Sequence, residues 1–124
     1  MSIPRILLIE DSADDAELIA MELEDAGIAH SMHRVELRHE LDAALEQSDW
    51  ALVLCDSRLP GYNGAEAFDW IRTRMPSVPF LFCTGGAQMV EPDLQEAIAA
   101  SDGHVLKDAL RQLPDVVRRL LAPD

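Results

Sequence analysis

The chain has 124 residues, the size of one domain with one real core, and 48% of them are apolar, so it is built to fold. Its 23 acidic and 10 basic residues leave a formal charge of −13, which repels phosphate backbones and argues against nucleic acid as a direct partner. No apolar run reaches the length of a membrane span, and the N-terminus MSIPRILLIE has no signal-peptide plan; with Cys55 and Cys83 both inside apolar runs, a reduced, cytoplasmic setting fits best.

The first element is RILLIE (5–10), a continuous apolar run that reads as a strand covered on both faces. DDAELIAMELEDAG (14–27) follows with helical periodicity: Ala16, Ile19, Ala20 and Leu23 share a face, Asp14 and Asp15 suit the positive end, and Gly27 can end it. HSMHRVE (30–36) is a more polar strand, which places it at an edge. ELRHELDAALEQ (36–47) supplies Leu37, Leu41, Ala44 and Leu45 for a second helix. ALVLCD (51–56) is the third strand, entered at Trp50, and it ends on Asp56 before the loop-forming LPGYNG. GAEAFDWIRTRM (64–75) is a third helix stopped before Pro76. FLFCT (80–84) is the fourth strand, EPDLQEAIAAS (91–101) a helix with Pro92 in its first turn, and HVLK (104–107) the fifth strand. ALRQLPDVVRRLLA (109–122) closes the chain as a helix that Pro114 kinks or restarts.

Five β-α alternations imply an α/β fold, a doubly wound five-stranded parallel sheet with helices on both faces, forming one domain over residues 1–124. In such sheets ligands bind beyond the carboxyl ends of the strands. Those ends carry Glu10 and Asp11, then Asp56, then Thr84 followed by Gly85 and Gly86, and last Lys107. Three carboxylates at one rim repel one another and call for a cation or a proton. An all-oxygen set suits magnesium, and no His or Cys cluster has the spacing of a zinc site. Lys107 is the lone lysine beside nine arginines. A compact ammonium at a strand end suits an anion held beside the metal.

LLIEDSADDAEL, LVLCDSRLPGYNG, FCTGG and HVLKD together resemble the four signatures of the response-regulator receiver domain of two-component signalling. The resemblance spans nearly the whole chain and implies a (βα)5 flavodoxin-like sheet in the order 2-1-3-4-5. By that resemblance Asp56 is the phosphoacceptor. Glu10, Asp11 and Asp56 hold Mg²⁺ with the backbone carbonyl of Arg58, Thr84 is the switch hydroxyl, and Lys107 binds the phosphoryl group. It also implies a histidine kinase or phosphotransfer protein as donor and a downstream protein target, docked near the fourth helix, fifth strand and fifth helix. Neither nucleic acid nor membrane is a direct partner, and a homodimer is left open. Two rivals remain: a small Mg²⁺-dependent phosphatase with an aspartate nucleophile, and a pseudo-receiver that no longer takes phosphate. The phosphatase usually has an acid two residues after its nucleophile, where this chain has Arg58, which cannot act as an acid/base.

Four features depart from the family pattern or invite a further role. His104 stands where receivers often place an aromatic switch residue; it could swing inward less well or make switching depend on pH between 6 and 8, with a half-exposed histidine on an edge strand as the plainer reading. Asp108 replaces the proline that commonly follows the lysine, so a trans bond or a different loop is expected there. Arg58 and Gly86 border the expected path of the hydrolytic water, where Arg58 could shield the phosphoryl group. Cys55 and Cys83, each one residue before a site residue on neighbouring strands, could form a redox link, with small buried hydrophobes as the plainer reading.

Overall fold

A computed structural model of the chain describes residues 3–47, 49–85 and 91–122. Five parallel strands make the main sheet: β1 (Arg5–Ile9), β2 (Ser31–Val35), β3 (Leu52–Cys55), β6 (Phe80–Thr84) and β7 (Gly103–Leu106). Their order is β2-β1-β3-β6-β7, which is 2-1-3-4-5 once only these five are counted. The polar strand β2 lies at the edge, as its composition predicts.

Alternation along each strand divides the core in two. Leu7, Ile9, Val53, Cys55, Phe80 and Phe82 face α2 (Arg38–Ala44), α3 (Gly64–Arg74) and α4 (Pro92–Ala100). Ile6, Leu8, Leu52, Leu54, Leu81 and Cys83 face α1 (Ala13–Asp25) and α5 (Leu113–Leu121). The redox link between the cysteines is thereby excluded in this fold: β3 and β6 are neighbours, but Cys55 and Cys83 point to opposite faces of the sheet. Both are buried free thiols. Burial pushes the Cys83 thiol up to about 12 and raises Cys55 well above its ordinary value, so neither is a ready thiolate.

Local chemistry explains the helix ends. Ser12 Oγ accepts from the Asp15 N–H at 3.1 Å and caps α1, while Gly27 takes a positive φ of 76° just beyond its end. Helix α2 is shorter than its periodicity suggests, because Glu40 Oε1 accepts from the Glu36 and Leu37 N–H groups at 3.1 and 2.9 Å and so sets the start at Arg38. The last predicted helix divides in two. Residues Lys107–Gln112 wind as a 3₁₀ helix, and α5 begins only with Pro114 in its first turn. A proline lacks the N–H for a helical bond and its ring would clash one turn back, so it starts a helix rather than crossing one.

The segment after β3, read from sequence as a loop, is a small antiparallel ribbon of β4 (Arg58–Leu59) and β5 (Tyr62–Asn63). Pro60 and Gly61 turn it, with Gly61 at φ 80°, as a type II turn requires. Tyr62 pins the ribbon by donating to the Glu36 carbonyl at 2.7 Å. Trp70 packs beside Tyr62 with ring centroids 5.5 Å apart, and the Arg38 guanidinium lies 3.4 Å above the Trp70 ring.

Gly64, the first residue of α3, presses on the strand end that carries Asp56. A Cβ there would lie 2.8 Å from the Asp56 carbonyl oxygen and 3.0 Å from both Phe82 Cε1 and Ser57 Cα. Two of those atoms are backbone and cannot give way cheaply. Gly64→Ala is expected to destabilise the fold by about 1–3 kcal/mol in urea unfolding, despite alanine's better helix propensity; equal or greater stability would show that the loop holding Asp56 yields freely.

Candidate functional site

Parallel pairing delivers the polar residues to one rim. Glu10 follows β1 and extends its ladder, donating its N–H to the Val35 carbonyl at 3.0 Å. Asp56 follows β3 in the same way, donating to the Ile9 carbonyl at 2.9 Å. Each is thus held by the sheet as firmly as a strand residue. The side chains are correspondingly enclosed: Glu10 is 0% exposed and Asp56 7%. The Ser57 N–H donates to Asp56 Oδ1 at 2.7 Å, which leaves Oδ2 turned toward Lys107 at 3.3 Å.

Asp11, next in the chain after Glu10, is exposed at the mouth of the site. One carboxylate oxygen from each of Glu10, Asp11 and Asp56 lies within 4.8 Å of the other two. The Lys107 ammonium stands against this group, 2.9 Å from Glu10 Oε1. It also donates to Asp15 Oδ2 at 2.8 Å. Asp15 is one residue at the rim that the sequence does not single out. It was read only as a favourable charge at the start of α1, although its spacing from Ser12 marks it as the capped position one turn into the helix. Arg34 was missed too: its guanidinium donates to the Glu10 carbonyl at 3.1 Å and ties the edge strand to the site.

The electrostatics follow from burial. Desolvation pushes the Glu10 carboxyl up to about 7; the Lys107 and Ser12 donors oppose that rise, and the Asp56 carboxylate adds to it. Burial pulls the Lys107 ammonium down, but its hydrogen bond to Asp15, its ion contact with Glu10 and the charge of Asp56 outweigh that and hold it above the ordinary lysine value. Lys107 is therefore a permanent cation.

Thr84 ends β6 on the same rim, fully buried. Its Oγ1 lies 2.7 Å from His104 Nε2 on the neighbouring strand β7. His104 thus already points toward the threonine. Burial lowers its pKa below the ordinary 6.5, which moves any protonation to the acid side of the window that the sequence suggests. The Arg58 side chain is 69% exposed and pairs with Glu91 at 3.6 Å, just before α4. No cis peptide occurs among the described residues, so the Lys107–Asp108 bond is trans. Gly86, the second glycine after Thr84, lies outside the described residues.

Residues 6–118 match the response regulator receiver domain. The chain belongs to that family. Solved receivers share its fold. The chemotaxis response regulator CheY4 of Vibrio cholerae superposes with a TM-score of 0.77 at 19% identity, over 97% of this chain and 100% of that one. The receiver domain of the sensor histidine kinase PA1611 from Pseudomonas aeruginosa PAO1, solved with a magnesium ion coordinated in its active-site cleft, gives 0.79 at 22% identity, over 97% and 98%. The non-phosphorylated HemR receiver domain of Leptospira biflexa gives 0.80 at 24%, over 98% and 96%. No functionally curated protein matches the chain. No helix among the receiver's described residues is long and apolar enough to cross a membrane.

The raised Glu10 pKa gives a signed expectation for the metal-free receiver. Folded Glu10 holds its proton more tightly than the unfolded chain does, so its contribution to stability is complete below the ordinary value of 4.5 and is lost as pH rises through about 7. Unfolding in chelator should show wild type losing stability relative to Glu10→Gln across that interval, by on the order of 1–3 kcal/mol. A difference between the two proteins that does not vary with pH would contradict the assignment.

Proposed function

We propose that this receiver accepts a phosphoryl group on Asp56 from a phosphohistidine on a partner histidine kinase or phosphotransfer protein, and passes the signal on by protein docking. The observation that carries the reading is the Lys107 ammonium 3.3 Å from the Asp56 carboxylate, inside a cluster of three acids. In the transfer, an Asp56 oxygen forms the new P–O bond as the donor's P–N bond breaks. The electron pair leaves on the imidazole nitrogen, which takes up a proton. Asp56 is consumed once per transfer, so the protein is a phosphoacceptor rather than a turnover enzyme, with at most slow self-dephosphorylation.

Phosphoryl transfer asks mainly for positioning and neutralised charge. Lys107 neutralises one phosphoryl oxygen. The Ser57 N–H orients Asp56 by holding its other oxygen. The acids fit a hard divalent cation: Glu10 Oε1 is buried without a hydrogen bond, its ion contact with Lys107 apart, and so retains a lone pair for a metal. Magnesium held by Glu10, Asp11, Asp56 and the Arg58 carbonyl supplies further neutralisation of the incoming group when bound. Thr84 donates its hydroxyl to the new phosphoryl group, giving up its present pairing with His104. That exchange links the modified rim to β7 and biases a docking surface near α4, β7 and α5.

Intact-mass measurement after acetyl phosphate treatment with Mg²⁺ should show the gain of one phosphoryl group on wild type and none on Asp56→Asn. Equal labelling of both would overturn the assignment of Asp56. Release of inorganic phosphate from simple esters at enzymatic rates would instead favour the phosphatase. Arg58 shields the phosphoryl group from water, drawing on the guanidinium's affinity for phosphate oxygens. Arg58→Ala should shorten the acyl-phosphate half-life by about two- to fivefold, given the usual strength of an exposed charge-assisted contact; an unchanged half-life ends that role.

A further inference from the structure

Four residues at the rim close a polar ring. The Ser12 N–H donates to Glu10 Oε2 at 3.2 Å, the Asp15 N–H donates to Ser12 Oγ at 3.1 Å, and the Lys107 ammonium donates to Asp15 Oδ2 at 2.8 Å. Lys107 completes the circuit by its ion contact with Glu10 Oε1 at 2.9 Å. Asp15 alone in this ring brings a carboxylate to Lys107 from outside the three-acid cluster. Its N–H is held by the cap of α1 and its carboxylate by the Lys107 ammonium, so both ends of the residue are tied to the rim.

Lys107 has three N–H donors and three carboxylate neighbours, at 2.8, 2.9 and 3.3 Å for Asp15, Glu10 and Asp56. Two of those partners are oxygens that a divalent cation needs. A cation entering the cluster must displace the ammonium from them or share them with it. Asp15 offers the ammonium a partner that the cation does not need.

We propose that Asp15 is a positioning residue that holds Lys107 on the α1 side of the rim and so frees Glu10 and Asp56 for a divalent cation. This rests on the receiver reading of the acid cluster. With Asp15 present, Lys107 keeps one strong partner while the metal takes the other two, and the ammonium stays beside Asp56, ready for a phosphoryl oxygen. Without it, the ammonium has only the acids that the metal requires, and the two cations compete directly.

The test titrates Mg²⁺ alone onto the full chain, followed by amide NMR shifts at the rim, for wild type, Asp15→Asn, Asp15→Glu and Asp14→Asn. The last removes the same charge from the neighbouring, exposed position and controls for long-range attraction. The Lys107 side-chain ¹⁵N resonance of the metal-free proteins is recorded in parallel. Asp15→Asn should raise the half-saturating Mg²⁺ concentration by about three- to tenfold, the range expected for losing one charge-assisted partner. It should also shift the Lys107 resonance, while Asp15→Glu restores most of both effects and Asp14→Asn changes neither by more than about a third of that ratio. Equal weakening by Asp15→Asn and Asp14→Asn, or an unmoved Lys107 resonance, overturns the positioning role and leaves the receiver reading intact. Absence of Mg²⁺ binding in wild type overturns both.

Discussion

One half-buried ammonium among carboxylates is the constraint on which the rim depends. Glu10 is enclosed completely and Asp56 nearly so, and two such groups could not both ionise at short range without a cation beside them. Lys107 is that cation, shared among Glu10, Asp15 and Asp56. The arrangement is compact, and Glu10 Oε1 has the Lys107 ammonium at 2.9 Å as its one close partner while burial raises the carboxyl pKa to about 7. A cluster of three acids with an ammonium beside it carries surplus negative charge, which a divalent cation would offset.

The sheet makes this possible by topology. Strands β1, β3 and β7 are distant in sequence, yet parallel pairing in the order β2-β1-β3-β6-β7 ends them all on the same side. Glu10 and Asp56 each extend a ladder by one hydrogen bond beyond its strand, so their backbones share the stiffness of the core. Gly64 contributes by being small: α3 can start directly against the Asp56 carbonyl only because no Cβ intervenes. The ribbon β4–β5 is tied back through Tyr62 to the Glu36 carbonyl, which steadies the segment carrying Arg58.

The remaining rim residues form a path away from the charge. Thr84 is buried at the end of β6 and meets His104 of β7 at 2.7 Å. A histidine in this place gives the threonine a polar partner that a phenyl ring would not. The hydroxyl has a specific interaction to exchange, so any movement toward the acid cluster carries the cost of a broken hydrogen bond. Under the proposed function, switching would be a choice between two hydrogen-bonded arrangements, with burial holding the His104 pKa below its ordinary value.

Much of this was legible in the amino acids alone. Continuous apolar runs ending in Glu10, Asp56, Thr84 and Lys107 identify buried parallel strands and place their polar ends together, because only a sheet covered on both faces tolerates such runs. Periodicity located all five helices, and Pro92 marked a first turn; Pro114, read as a kink or restart inside the last helix, begins α5 instead. What tertiary structure alone decided were matters of facing and reach. Cys55 and Cys83 each precede a site residue on neighbouring strands, which leaves a redox link open in sequence, but strand pleating sends them to opposite faces. Asp15 looks like an ordinary first-turn acid, yet the crossover from β1 into α1 brings it to Lys107 across a separation of 92 residues. Periodicity is a property of neighbours along the chain, and so the sequence records it; the partner of a long flexible side chain depends on how separate elements pack, which no local pattern contains.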